Sequence, residues 1–348
     1  MHSVCFSRIT PFITLYSFAH LVADAACSFL LLGVLELNNH VVISMILYNA
    51  AAFVLQAPFG FIIDKALSPK LAAIFGLVFI AVSFLFWDNI FVALSISGIG
   101  NALYHVGGGS LILSLKAREA TFSGIYVAPG GIGLALGSYL AISQLRINIM
   151  LFPLALIILG LILCFIETPK FDRTDEGKRT LDYRFLIIIL IMIPIAIRSL
   201  IGLSIEFPWK GNQYLFALLI GAIALGKAFG GILADRYGLM KVGVGGLFVS
   251  IPLLAFFPSI PLFGILGAFV FNFTMPVTLI AMRNTIPGNK GLSFGLTTVA
   301  IFIGSLPAII GKDLWLKNNW IVFSLIFSAS ILLFAVLRFL DINKTIKV

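Results

Sequence analysis

Gly60-Phe61-Ile62-Ile63-Asp64-Lys65 returns 171 residues later as Gly231-Ile232-Leu233-Ala234-Asp235-Arg236. At the same offset Asn101 matches Asn272, Gly124 matches Gly295 and Gly133 matches Gly304. Each match is weak alone, because the chain holds 32 glycines. In one register and without gaps, the matches indicate a duplicated unit spanning about half of the chain.

Composition says what each unit is made of. The 348 residues are 60% hydrophobic and 11% charged, with a mean hydropathy of +1.11. A water-soluble domain of this size exposes far more charge. A helix crosses the hydrocarbon of a bilayer with about 20 apolar residues, and many such runs are present. A membrane barrel would instead show alternating strands of about ten residues. No sustained alternation occurs. The net charge of +9 does not indicate nucleic acid, because the basic residues sit in short segments between apolar runs. Cys5, Cys27 and Cys164 lack metal-ligand spacing and read as small buried residues. Ala23-Asp24-Ala25-Ala26-Cys27 hints at a cleavage site, but the apolar stretch runs on to about residue 35. It reads as an uncleaved first helix.

Apolar runs and turn signals predict twelve helices, at 11–35, 41–63, 70–87, 90–115, 121–144, 147–167, 185–206, 213–234, 241–257, 259–282, 290–310 and 319–340. The polar stretch Thr168–Arg184 divides six from six. The expected domains are an N-terminal six-helix bundle (1–167), a cytoplasmic linker (168–184) and a C-terminal bundle (185–348). With both termini in the cytoplasm, 17 of the 23 Lys and Arg lie on the cytoplasmic side. Arg146, Lys210, Lys312 and Lys317 lie outside, and Arg198 and Lys227 fall within helices. This is the positive-inside bias. The expected fold class is all-α: twelve transmembrane helices in two parallel, pseudo-symmetric six-helix bundles. The expected location is the plasma membrane. The repeat places each Gly-x-x-x-Asp-Lys/Arg between the second and third helix of its half, on the cytoplasmic side.

The motif has a physical rationale. Gly60 and Gly231 let helices approach closely. Asp64 and Asp235, at helix ends, can accept hydrogen bonds from a neighbouring helix N-terminus and pair with Lys or Arg; Lys65 and Arg236 complete the two motif copies. Gly231-x-x-x-Asp235-Arg236-x-Gly238 resembles the cytoplasmic signature of the major facilitator superfamily, and Gly60-x-x-x-Asp64-Lys65 resembles its first-half counterpart. The resemblance covers nearly the whole chain. The first copy departs from the pattern at Ala66-Leu67-Ser68-Pro69-Lys70, and the second keeps only Lys241 of the basic tail. The resemblance implies a clasp that holds one conformation and releases in the other.

A narrower resemblance is to the fosmidomycin-resistance-like branch of that superfamily. It rests on His20-x-x-x-Asp24, on Tyr104-His105-Val106-Gly107-Gly108-Gly109 and on Val127-Ala128-Pro129-Gly130-Gly131. The last run is also similar to the Gly-Pro-Gly-Gly element of drug antiporters, with Ala128 in place of the first glycine. It assigns Gly124, Pro129, Gly130 and Gly131 to helix packing.

Ionisable groups at membrane depth face a partner or a cavity. His20 and Asp24 lie four apart on one helix face, either as a proton-coupling site or as a structural pair. Asn101 and His105 share a face of the fourth helix. Arg198, in the seventh helix, either pairs with Asp24 or binds an anionic group of a substrate. Lys227 either reaches the cytoplasmic surface or faces the cavity. The superfamily arrangement implies that the first, fourth, seventh and tenth helices line a central cavity. There His20, Asp24, Asn101, His105, Arg198 and Asn272 would converge.

The function expected is secondary active transport of a small molecule by alternating access. The coupling ion is a proton and the direction, on the narrower resemblance, is efflux. Uptake or facilitated diffusion of a polar or anionic metabolite uses the same fold. An embedded enzyme, with His20, Asp24 and His105 as metal or acid/base groups, lacks any His-Glu-x-x-His run or nucleophile elbow. No cofactor, no metal and no nucleic-acid partner are expected, and the protein is expected to be a monomer.

Overall fold

The computed structural model describes residues 2–35, 41–115, 119–143, 148–168 and 183–345, and all its secondary structure is helical. The segments form twelve helices in the predicted order. They are α1 (His2–Leu35), α2 (Val41–Lys65), α3 (Pro69–Phe86), α4 (Ile90–Leu113), α5 (Glu119–Ile142), α6 (Leu151–Phe165), α7 (Arg184–Ser204), α8 (Gln213–Tyr237), α9 (Leu239–Ala255), α10 (Pro261–Thr285), α11 (Lys290–Ile309) and α12 (Asn319–Thr345). Ten are long and apolar enough to cross a membrane, while α6 and α9 are shorter apolar helices. In hydrocarbon every backbone polar group must bond internally, which leaves helices as the spanning form. Large apolar side chains such as Phe79, Leu154, Leu218 and Ile331 stand exposed, as a lipid-facing surface requires. The chain is a multi-pass helical membrane protein.

Helix ends follow local chemistry. Pro69 and Pro261 open α3 and α10 at their first positions, where the missing N–H costs nothing. The side chain of Asn212 accepts from the amides of Tyr214 and Leu215 at the start of α8. Gly238, at φ 96°, makes the turn from α8 to α9, a backbone region that glycine enters freely. Lys70 Nζ donates to the carbonyls of Cys164 and Ile166 at 2.9 and 2.8 Å and so caps the carboxyl end of α6.

Several features differ from expectation. α1 begins at His2 rather than near residue 11, with Pro11 inside it. Helical backbone therefore extends beyond the apolar run that hydropathy detects. α2 contains a π-helical turn at Ala50–Val54. α10 is broken between Phe271 and Thr274, where Phe273 N–H bonds the carbonyl of Val270 in a tighter turn. Cys27 is buried as expected, but Cys164 is exposed, on an α6 face that turns away from the protein. Most of the expected linker, 169–182, lies outside the described residues, and Arg184 already belongs to α7.

The chain divides into two compact units that are not cut at a single point. Unit 1 comprises Met1–Leu115, Ile125–Thr174 and Asn289–Thr298; unit 2 comprises Lys116–Gly124, Asp175–Gly288 and Val299–Val348. The start of α11 thus packs with unit 1, and the start of α5 with unit 2. In unit 1 a side chain at Gly60 would collide with the backbone of Gly291. In unit 2 a side chain at Gly231 would collide with the carbonyl of Ala120. Residues 60 and 231, and residues 120 and 291, are each 171 apart, so the sequence repeat returns as a repeated contact.

Gly60→Val should therefore destabilise the detergent-purified protein by about 1–3 kcal/mol of overpacking, seen as a lower thermal unfolding midpoint. Gly160→Ala, where an added Cβ meets nothing within 4 Å, should leave the midpoint unchanged or slightly raised.

Candidate functional site

α1, α4 and α5 build the most polar point inside unit 1. His20 and Asp24 project from one face of α1, and Asn101 and His105 from one face of α4. All four are buried, at 8% exposure or less. His20 Nε2 lies 3.2 Å from Asp24 Oδ2, and His105 Nε2 lies 3.3 Å from Asp24 Oδ1. The two Nε2 atoms are 2.8 Å apart. Asn101 Nδ2 donates to Asp24 Oδ1 at 3.1 Å and lies 3.7 Å from Cys27 Sγ. Asp24 thus has its charge partners in two histidines of its own unit.

The protonation of the rings follows from what they touch. His20 Nδ1 is 2.8 Å from the carbonyl of Tyr126, and His105 Nδ1 is 2.8 Å from the carbonyl of Asn101. Carbonyl oxygens only accept, so each Nδ1 carries hydrogen. Each Nε2 of a neutral ring is then a bare lone pair. Two such lone pairs at 2.8 Å, with a carboxylate beside them, repel. One positive charge at the point where they converge resolves this: a proton between the nitrogens makes one ring an imidazolium, balanced by Asp24. The cluster has the geometry to take up a cation.

α5 is shaped to admit it. Pro129 has no N–H for the carbonyl of Ile125 four residues earlier, and Ser17 Oγ donates to that carbonyl at 3.3 Å. The next carbonyl, of Tyr126, serves His20. A side chain at Gly130 would meet His20 Nε2 and Asp24 Oδ2, so only glycine leaves room for the pair. On α4, added side chains at Gly107, Gly108 and Gly109 would strike the α3 backbone at Pro69 and Ala73, the Tyr126 hydroxyl and the Phe294 ring respectively. Tyr104 donates its hydroxyl to the carbonyl of Tyr16 and ties α4 to α1. The roles of Ser17, Tyr126 and Tyr104 were not anticipated. The one signal for them was Pro129, which leaves a carbonyl needing a donor.

The duplicated aspartates sit on helix N-termini. In unit 1 Asp64 accepts from the amides of Gly291 and Leu292, both at 2.8 Å. In unit 2 Asp235 accepts from those of Ala120 and Thr121, at 3.1 and 2.8 Å. Carboxylates are favoured at this end of a helix by its free N–H groups and its dipole. The partners again obey the 171-residue offset. Glu119 on the same α5 end pairs with the buried Arg283. The basic residues of the two motif copies lie on aromatic rings. Lys65 Nζ lies over the Phe61 ring at 3.9 Å, and the Arg236 guanidinium lies 5.2 Å from the Tyr237 ring centre. The aspartates are satisfied by backbone amides, which frees these cations to lie on neighbouring rings.

The remaining predicted site residues lie in unit 2. Asn272 Nδ2 bonds the carbonyl of Ala268 at 2.8 Å and Thr274 that of Phe271, so both secure the break in α10. Arg198 makes no ion pair among the described residues, and its buried Nε has no hydrogen-bond partner. Lys227 is half-buried, with its carbonyl facing Gly124.

Together the twelve helices and the buried polar cluster define a membrane protein with the major facilitator fold. Solved structures agree. The fucose:proton symporter FucP of E. coli matches with a TM-score of 0.71 at 15% identity, covering 96% of this chain and 99% of that one. The human organic anion transporter MFSD10 (TETRAN) matches at 0.69 and 14% identity with the same coverage. A stretch of 107 residues is 35% identical to an uncharacterized MFS-type transporter, YfnC, of Bacillus subtilis (strain 168). That stretch is 29% of this chain and spans 26% of the relative's length. No family model matches the chain.

Asp64→Asn turns an acceptor into an amide that opposes an N–H and should cost about 1–3 kcal/mol. In hydrogen exchange it should speed the amides of Gly291 and Leu292 and spare those of Ala120 and Thr121. Asp235→Asn should do the reverse. Identical patterns in the two variants would contradict these assignments.

Proposed function

We propose that the chain is a major facilitator transporter that moves a small molecule across the plasma membrane by alternating access, coupled to a proton held by His20, Asp24 and His105. The observation that carries this reading is the 2.8 Å approach of the two Nε2 atoms beside a buried carboxylate. A group at membrane depth that needs a cation for its own stability is suited to pick one up on one side and lose it on the other. The proton acts by its differential affinity for the two states. The Asp64 and Asp235 clasps on the ends of α11 and α5 are the contacts proposed to form and release. Both termini are proposed to be cytoplasmic, on the distribution of Lys and Arg, and the working form to be a monomer. The similarity to a fucose:proton symporter supports proton coupling. Efflux rests on the likeness of His20-x-x-x-Asp24 and Tyr104–Gly109 to the fosmidomycin-resistance-like branch.

A second reading, uptake of a polar or anionic metabolite, is favoured by Arg198. Its guanidinium is held in α7 without an ion pair among the described residues, as a group kept for an anionic ligand would be.

Vesicles carrying the protein, with an imposed pH gradient and a panel of sugars, organic anions and amphiphilic drugs, test the proposal. Flux of the transported compound should follow the gradient. Asp24→Asn should reduce that flux about 5–150-fold, the usual range of coupling free energies, with expression intact. Flux that ignores both the gradient and the substitution would overturn it. Export against uptake of the same compound decides the direction.

A further inference from the structure

We propose that His20, Asp24 and His105 also bind a divalent transition-metal ion of the zinc, cobalt or nickel type. The inference rests on the reading of this cluster as a cation site and names a second cation for it. The linear spacing of cysteines and histidines predicts no metal; the folded chain places three ligand-type atoms within 4.8 Å of one another.

The distances suit a metal. At ligand bonds of about 2.0–2.2 Å, neighbouring ligands of a tetrahedral ion stand about 3.3–3.6 Å apart. The cluster's separations are 3.2, 3.3 and 2.8 Å. The first two separations go to different oxygens of Asp24, one facing each ring, and one ligand atom from each residue lies within 4.8 Å of the others. A small rotation of the carboxylate and a widening of the nitrogen–nitrogen contact would bring the three donors onto one ion. The supporting bonds are those a metal site uses. Ligating histidines donate their other ring N–H to a carbonyl or carboxylate, which fixes tautomer and ring orientation. His20 does so to Tyr126 and His105 to Asn101, each presenting Nε2. The Asn101 amide holds Asp24 Oδ1 in place.

The donor set sets the chemistry. Two imidazoles and one carboxylate suit zinc, cobalt and nickel, whereas magnesium and calcium require oxygen ligands in greater number. Three protein ligands leave a fourth position open, the pattern of sites whose ion or bound ligand must exchange. Two neutral rings, a carboxylate and a divalent ion carry a net charge of about +1, which burial opposes. The fourth position therefore suits an anion such as hydroxide or chloride.

The test uses the full-length, tag-free protein in detergent, stripped with a chelator and titrated with Co2+. One Co2+ per chain should bind with the strong visible absorption of a tetrahedral site. Zn2+ should displace it and Mg2+ should not. Asn101→Ala, which removes the orienting donor, should weaken binding about 10–100-fold, and Asp24→Asn or His20→Ala more. His105→Cys should retain binding and add a thiolate-to-cobalt charge-transfer band, a gain that no misfolded variant shows. Absence of tetrahedral Co2+ absorption, or binding indifferent to Asp24→Asn, would overturn the proposal. Failure of metal binding with gradient-driven flux intact sinks this inference alone. Metal binding with flux indifferent to pH sinks the proton-coupling reading alone.

Discussion

A carboxylate surrounded by hydrocarbon must find its partners inside the protein, and Asp24 finds three. Two are histidines whose far nitrogens are already committed to backbone carbonyls, so both rings turn the same nitrogen toward the acid. The third is an amide that holds one carboxylate oxygen. With both rings neutral the group carries one net negative charge, which a single proton would balance. The packing around it serves that end: Gly130 leaves room, Pro129 releases a carbonyl for Ser17, and Tyr104 fastens α4 to α1.

The same rule governs the two repeated aspartates. Each answers the open amides of a helix start rather than a cationic side chain, and each is approached through a glycine that lets two backbones nearly touch. Because the donors are backbone groups, Ala120 and Gly291, or Thr121 and Leu292, need not be alike to do the same work. The duplication is better preserved in space than in letters, since the offset holds for contacts between residues that share no identity.

Much of the architecture was legible. The apolar runs gave twelve helices in order, and i, i+4 spacing put His20 with Asp24 and Asn101 with His105 on common faces. That the two faces converge was expected from the resemblance alone; how α5 makes room for the pair was not legible, because the purpose of Gly130 is visible only once α1 lies against it. Hydrogen bonds from a neighbouring helix N-terminus to Asp64 and Asp235 were legible from their place at helix ends; which helix starts they meet was not, because Gly291 and Ala120 are far away in sequence. Arg198 and Asn272 were expected to join the histidines on the strength of repeat position and helix depth. Asn272 is instead spent on the break in α10, which periodicity does not reveal.

The state of two imidazole rings decides whether the cluster holds a proton. The chain has four histidines, so 15N-histidine labelling of metal-free protein in lipid nanodiscs gives a tractable NMR spectrum. The rings of His20 and His105 should both carry hydrogen on Nδ1. Their Nε2 atoms should share a single proton, seen as nitrogen–nitrogen coupling across the 2.8 Å contact. A bare Nδ1 on either ring, or two Nε2 atoms with no coupling between them, would contradict the cation site.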